Sequence, residues 1–213
     1  ATTGSGGWGQ SFGYDGFGNL LSQTVTKGNA PSLSVTVDPA TNRITNSGMS
    51  YDTNGNLTAT PLLSMIYDVS NRLTSATQQG ADTYFYDPSG RRVFKRQSGM
   101  DRTSFYGVDG SLLGEYTQAW PEGYYAADSS VYFGKQMVQK GYNWNAFAIY
   151  EDRLGSVEHY GTNAPKYFPY GDEPSTTEQN RRKFATYYRD ATTALDYAQQ
   201  RYSASSLGRF TSP

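Results

Sequence analysis

Gly9-Gln10-Ser11-Phe12-Gly13 matches the Gly-x-Ser-x-Gly elbow that exposes a nucleophilic serine, and His159, the chain's single histidine, is the base such a serine would need. An elbow requires a strand before the serine and a helix after it, whereas Tyr14-Asp15-Gly16-Phe17-Gly18 follows here and reads as a turn. Gly4-Ser5-Gly6-Gly7-Trp8-Gly9 fits the Gly-x-Gly-x-x-Gly of dinucleotide sites, again without the strand and helix that give those glycines their task. Asp52-Thr53-Asn54-Gly55-Asn56 offers oxygen ligands of the kind calcium takes, but the bidentate glutamate of an EF-hand loop is missing. One His and no Cys supply no zinc ligand set. No catalytic, metal-ligating or cofactor-binding residue is assigned, no cofactor is expected, and the chain reads as a non-enzyme.

The elements that would position such groups are set by a recurring phrase. It appears as Tyr14-Asp15-Gly16-Phe17-Gly18-Asn19-Leu20, Tyr51-Asp52-Thr53-Asn54-Gly55-Asn56-Leu57, Tyr67-Asp68-Val69-Ser70-Asn71-Arg72-Leu73 and Tyr86-Asp87-Pro88-Ser89-Gly90-Arg91-Arg92-Val93. A degenerate copy, Val37-Asp38-Pro39-Ala40-Thr41-Asn42-Arg43-Ile44, makes the Asp-to-Asp steps 23, 14, 16 and 19 residues. Repeats of this length are single supersecondary units that stack. Each reads as strand, tight turn, strand: Asp accepts hydrogen bonds from amides further along the turn, and Gly55 or Gly90 supplies a positive φ. The flanking runs alternate with a period near two, and no window before residue 178 is a convincing amphipathic helix. The expected fold is all-β, an array of antiparallel hairpins in one continuous curled sheet.

Aliphatic residues are scarce while 15% of the 213 residues are aromatic, including 19 Tyr. A thin sheet whose rings stack along the ladder suits that composition. The formal charge is −1, with 18 basic against 19 acidic residues. Arg91-Arg92 and Arg181-Arg182-Lys183 are read as solvated faces, not as a stripe for a phosphate backbone, so no nucleic acid is expected as a partner. No apolar run is long enough to span a membrane, and Ala1 to Gly9 lacks the regions of a signal peptide.

Beyond Arg92 another hairpin, Tyr106 to Tyr116, leads into an aromatic passage through Trp120, Tyr124, Tyr125, Tyr132, Phe133 and Trp144. Three blocks follow: Tyr150-Glu151-Asp152-Arg153-Leu154-Gly155-Ser156-Val157; Tyr167-Phe168-Pro169-Tyr170-Gly171-Asp172; and Tyr187-Tyr188-Arg189-Asp190 leading to Leu195-Asp196-Tyr197, Arg201-Tyr202 and Gly208-Arg209-Phe210-Thr211-Ser212-Pro213. With these in order the chain resembles the Rhs/YD-repeat family, and its last third resembles the Rhs repeat-associated core.

That resemblance implies three regions: residues 1–12 as a flexible leader or partial repeat, 13–117 as the YD-repeat array, and 118–213 as the core, rolled in as a plug. It makes Tyr14, Asp15, Tyr51, Asp52, Tyr67, Asp68, Tyr86 and Asp87 the structural repeat turns. The core motif residues are Leu154, Gly155, Ser156, Pro169, Gly171, Arg189, Asp190, Asp196, Tyr197, Arg201, Gly208, Arg209 and Phe210. Ion pairs are expected between Arg189 and Asp190 and between Arg201 and Asp196. The family's core can act as an aspartyl autoprotease; its first Asp aligns with Ala204 here and its second lies beyond Pro213, so no self-cleavage is expected.

The expected function is structural and non-enzymatic, as part of a secreted or surface Rhs-type shell or a self-assembling structure, extracellular or at the surface of a bacterium. The alternatives are a surface adhesin or carbohydrate-binding module, in which Trp8, Trp120 or Trp144 stacks on sugar, and an autoprotease core lacking its Asp pair. Expected partners are the chain itself or neighbouring repeats through sheet edges, with a C-terminal toxin or surface glycan as further candidates.

Overall fold

The computed structural model describes residues 7–78, 80–119, 123–142, 145–174, 176–177 and 179–213, with the backbone alone for 123–127 and 142. Among these, the dominant element is a twelve-stranded antiparallel sheet in strict sequence order. The chain first forms β1 (Gly9–Tyr14), β2 (Leu20–Lys27) and β3 (Leu33–Ser34) as a small sheet, then β4 (Val37–Asp38) with β5 (Arg43–Ile44) as a separate hairpin. The large sheet comprises β6 (Ser50–Tyr51), β7 (Leu57–Ala59), β8 (Ser64–Tyr67), β9 (Leu73–Thr77), β10 (Ala81–Tyr86), β11 (Arg92–Gln97), β12 (Met100–Tyr106) and β13 (Leu112–Ala119). It continues through β14 (Gly123–Phe133), β15 (Gln136–Tyr142), β16 (Asn145–Glu151) and β17 (Val157–Tyr160). A five-stranded sheet follows: β18 (Arg181–Arg182), β19 (Tyr188–Arg189), β20 (Asp196–Ala198), β21 (Arg201–Ala204) and β22 (Arg209–Phe210). The all-β expectation holds, although the first repeats sit in small sheets of their own and the large sheet runs unbroken across position 118.

The repeat turns share one geometry. Asp15, Asp52, Asp68, Asp87 and Asp152 each donate the backbone N–H to the carbonyl four residues on, while the N–H of the third residue returns to the Asp carbonyl. That third residue is Gly18, Gly55, Asn71, Gly90 or Gly155, all at positive φ, where glycine and asparagine escape the Cβ penalty. The Asp side chain closes the loop: Asp68 Oδ1 accepts from the N–H of Ser70 and Arg72, and Asp87 Oδ1 from that of Arg91. These bonds to the charged form, that from Arg91 first, hold the Asp87 carboxyl below its ordinary value. Phe168-Pro169-Tyr170-Gly171-Asp172 repeats the backbone pattern, with Phe168 in the Asp position.

The five-stranded core lies against one face of the large sheet. Strand alternation turns Met65, Ala76, Tyr84, Lys95, Ser104 and Glu115 toward it. The apolar part joins Leu57, Leu63, Leu73, Tyr188, Leu195, Tyr197 and Tyr202 in one buried cluster. A smaller cluster forms from Met137, Ile149 and Val157. The N-terminal sheet reaches the core as well: Trp8 packs edge-on to Phe168, Phe12 to Tyr170, and the hydroxyls of Tyr14 and Tyr170 meet at 2.6 Å. Among the described residues no helix is long and apolar enough to cross a membrane.

Candidate functional site

Between wall and core lies a group of charges almost wholly withdrawn from water. Arg92 opens β11 and is 3% exposed; its Nη1 donates to Asp190 Oδ2 at 2.6 Å and to the Tyr202 hydroxyl at 2.9 Å. Four rings, those of Tyr84, Tyr188, Tyr197 and Tyr202, box the guanidinium at 4.6 to 5.9 Å from their centres. Three residues along the same strand, Lys95 is placed by its register on the face of Asp82, and its Nζ bridges Asp82 Oδ2 at 2.8 Å and Asp190 Oδ1 at 3.1 Å. Burial alone would raise the Asp190 carboxyl, but Arg92 and Lys95 outweigh it and hold the group below its ordinary value.

Beside this network sits Glu115, 3% exposed, on β13. Its carboxylate accepts from the Tyr188 hydroxyl at 2.7 Å and from Ser104 Oγ at 3.2 Å. Burial pushes its carboxyl up, only partly offset by Lys140. Glu115 lines a cavity of about 300 Å³ together with Arg92, Tyr132, Lys135, Arg182 and Tyr188. A buried, raised carboxyl on a cavity wall is a group that can hold or release a proton beside a bound molecule. Arg182 is engaged already, by Glu151 at 3.1 Å, as Arg92 is by Asp190.

The expected ion pairs are rearranged. Arg189 does not pair with Asp190: it forks onto Asp196 at 2.8 and 2.6 Å, because the two are cross-strand partners in β19 and β20. Asp190, the next residue, reaches instead to Arg92 and Lys95 on the wall, about a hundred residues earlier. Arg201 stacks on Phe210 with its guanidinium 4.0 Å from the ring centre, leaving Asp196 to Arg189. The basic runs are not simple solvated faces either. Arg92 and Lys183 are buried, Lys183 pairs with Glu173 at 3.0 Å, and Arg181 lies 3.8 Å over the Tyr160 ring.

The other motif residues act locally. Leu154 donates its N–H to Asp152 Oδ1, Gly155 accepts the N–H of Thr186, and Ser156 Oγ accepts that of Ala185, which seats the core on the last wall hairpin. Pro169 and Gly171 shape the Phe168 turn, and Gly171 accepts from Arg189. Tyr197 receives the N–H of Arg92. Gly208, at φ 62°, lies where a Cβ would meet Leu20 and Tyr170, Arg209 donates to Asn42 O, and Phe210 packs on Tyr187. Ser11 sits mid-strand opposite Thr24 with more strand after it, so it forms no elbow, and His159 stands in β17 edge-on to Tyr150. Trp120, Trp144 and residues 1–6 lie outside the described residues, as do the side chains of Tyr124 and Tyr125. The sequence reading missed Arg92, Lys95, Asp82 and Glu115. One signal was available: Arg92 occupies the first strand position after its turn, which Leu57 and Leu73 fill in their repeats and bury.

No family model matches the chain. It is 29% identical over 219 residues to the tRNA nuclease WapA of Bacillus subtilis (strain 168), and 29% identical over 219 residues to the tRNA3(Ser)-specific nuclease WapA of Bacillus spizizenii. In both cases 93% of this chain is covered but 9% of the relative, so the chain spans less than a tenth of the curated relatives' length. Among solved structures, the TcdB2–TccC3 crystal structure superposes with a TM-score of 0.75 at 19% identity, over 95% of this chain and 12% of that one. The Photorhabdus luminescens Tc holotoxin pore gives 0.73 at 18% identity, over 95% and 12%. The fold is thus an Rhs-like β-hairpin array with a docked core.

The functional expectation is corrected by the same comparison. A purely structural, non-enzymatic role does not stand beside relatives named as tRNA nucleases along nearly the whole of this chain. The sequence could not have shown this, because the residues that carry the family resemblance are turn formers and packing groups, which do not report on the chemistry of a longer polypeptide.

Proposed function

We propose that this chain is a segment of a tRNA-cleaving toxin polypeptide, secreted by a bacterium or displayed at its surface, and that the hairpin wall with its docked core accompanies a C-terminal toxic segment. The observation that carries this reading is the 29% identity across 93% of the chain with relatives named tRNA nucleases. A tRNA substrate replaces the expectation that nucleic acid is no partner. The likeness to TccC3-containing toxin structures adds support at the level of fold. Arg92 and Arg182 are held in internal ion pairs, which favours assigning phosphodiester cleavage to the polypeptide as a whole over the Glu115 cavity.

The test is to incubate the intact native polypeptide with total bacterial tRNA, alongside the 213-residue chain, and to resolve the products on a denaturing gel. Discrete tRNA fragments from the intact polypeptide are expected. Undamaged tRNA with the native polypeptide would overturn the reading.

A further inference from the structure

A second cavity, about 610 Å³, opens between β7, β8 and the core. In a chain so poor in aliphatic residues, Met49, Leu57, Leu63, Met65, Leu195 and Leu207 all line this space. Leu62 stands at its wall with 71% of its surface exposed. Unfilled apolar volume forfeits packing contacts and destabilises a fold, so a wall of this kind is kept at a cost unless something occupies it.

The polar end of the cavity states what the occupant carries. Gln179 lines it, with Nε2 donating to Thr177 O at 2.9 Å and Oε1 buried without a partner. Asp172 lines it too; its Oδ1 accepts from Ser205 Oγ at 2.6 Å, and among the described residues no cation pairs with it within ion-pair distance. Arg189, the cation nearby, is already committed to Asp196 and to the Gly171 carbonyl. This end therefore sets the unpartnered Gln179 Oε1 beside two carboxylates, Asp172 and Glu173, with the Arg189 guanidinium already engaged, which suits a donating, positively charged head over a carboxylate.

We propose that this cavity binds a hydrophobic amine, a molecule with an alkyl body and a protonated amine head, the body lying along Leu57, Leu63 and Leu195 and the head against Asp172 and Gln179. The site is independent of tRNA cleavage.

The experiment is calorimetric titration of the 213-residue chain with n-octylamine at neutral pH, below its micellar range, with n-octanol and sodium octanoate as comparison probes. Saturable binding of one octylamine per chain is expected, weaker binding of octanol, and none of octanoate. Asp172→Asn and Gln179→Ala should each weaken octylamine roughly tenfold or more, the worth of a charge-assisted hydrogen bond, and weaken octanol, a neutral donor, by less. Ala204→Leu, which fills the cavity from β21, should abolish binding of both while the circular dichroism of the β fold is retained. Octanoate binding as tightly as octylamine, absence of saturable heat, or octylamine binding that survives Ala204→Leu in the folded variant would each overturn the proposal.

Discussion

The guanidinium of Arg72 lies 5.1 Å from the ring centre of Tyr86, one repeat further along, while its Nε holds Asp68 in its own turn at 2.8 Å. Arg91 does the same for Tyr106 and Asp87, and Arg43 covers Tyr51. Each tyrosine hydroxyl then reaches back to the preceding hairpin: Tyr86 to Leu73 O at 2.5 Å, Tyr106 to Arg92 O at 2.9 Å, Tyr132 to Leu112 O at 2.9 Å. Where the repeat offers Asn56 or Ser111 in place of Arg, the core fills the gap. Thr211 O accepts from Tyr67, and Arg182 lies over Tyr132. The Tyr-Asp phrase is thus a joint between neighbours.

Replacing Tyr106 by Phe keeps the ring under Arg91 but leaves the Arg92 carbonyl without its donor. A loss of about 1 kcal/mol is expected, read as a lower urea midpoint at unchanged slope. No shift would mean that water takes the hydroxyl's place.

Asp190→Asn leaves Arg92 and Lys95 buried with one carboxylate, Asp82, between them. Breaking a buried pair in this way costs on the order of 3–5 kcal/mol. Because the folded carboxyl lies below its ordinary 3.8, its stabilisation is present above that value and is lost as the pH falls through the folded one. The unfolding midpoints of wild type and Asp190→Asn should therefore differ at pH 7 and converge in strong acid.

Glu115 predicts the opposite sign. Its folded carboxyl titrates above the ordinary 4.5, so ionising it penalises the folded state once the pH exceeds 4.5, and the penalty is complete above the raised folded value. Glu115→Gln keeps an acceptor for Tyr188 and removes the charge. It should raise the thermal midpoint at pH 8 relative to wild type, with the gain fading toward pH 4.

At Gly155, with φ 78°, an added Cβ would collide with Thr186 Cγ2. Gly155→Ala combines that clash with a strained backbone, at about 1–3 kcal/mol, and loosens the contact between the last wall hairpin and the core. Faster hydrogen exchange at Thr186 and Ala185 than at Tyr86 would report the local release; uniform exchange changes would argue for global destabilisation instead.

The repeat turns were legible because their physics is local. An Asp, a glycine or asparagine three residues on, and a tyrosine before it suffice to place a hairpin, and the alternation beyond sets which side faces in. The site was not legible because it is assembled across the chain. Arg189 and Asp190 are adjacent, but Arg189 ends β19, where its register against β20 gives it Asp196, while Asp190, just past the strand, reaches Arg92 on the wall. Arg91-Arg92 misleads for the same reason, one side chain lying over Tyr106 outside the buried network and the other sealed within it.

Thr211 is 2% exposed, donates its N–H to Tyr202 O at 2.8 Å, and offers its carbonyl to Leu57 N at 2.7 Å and to Tyr67. Considered mechanically, this residue is a clamp. Tension drawn through it is shared between the core strand bearing Tyr202 and the wall hairpin at Leu57, and is met on both sides by backbone hydrogen bonds.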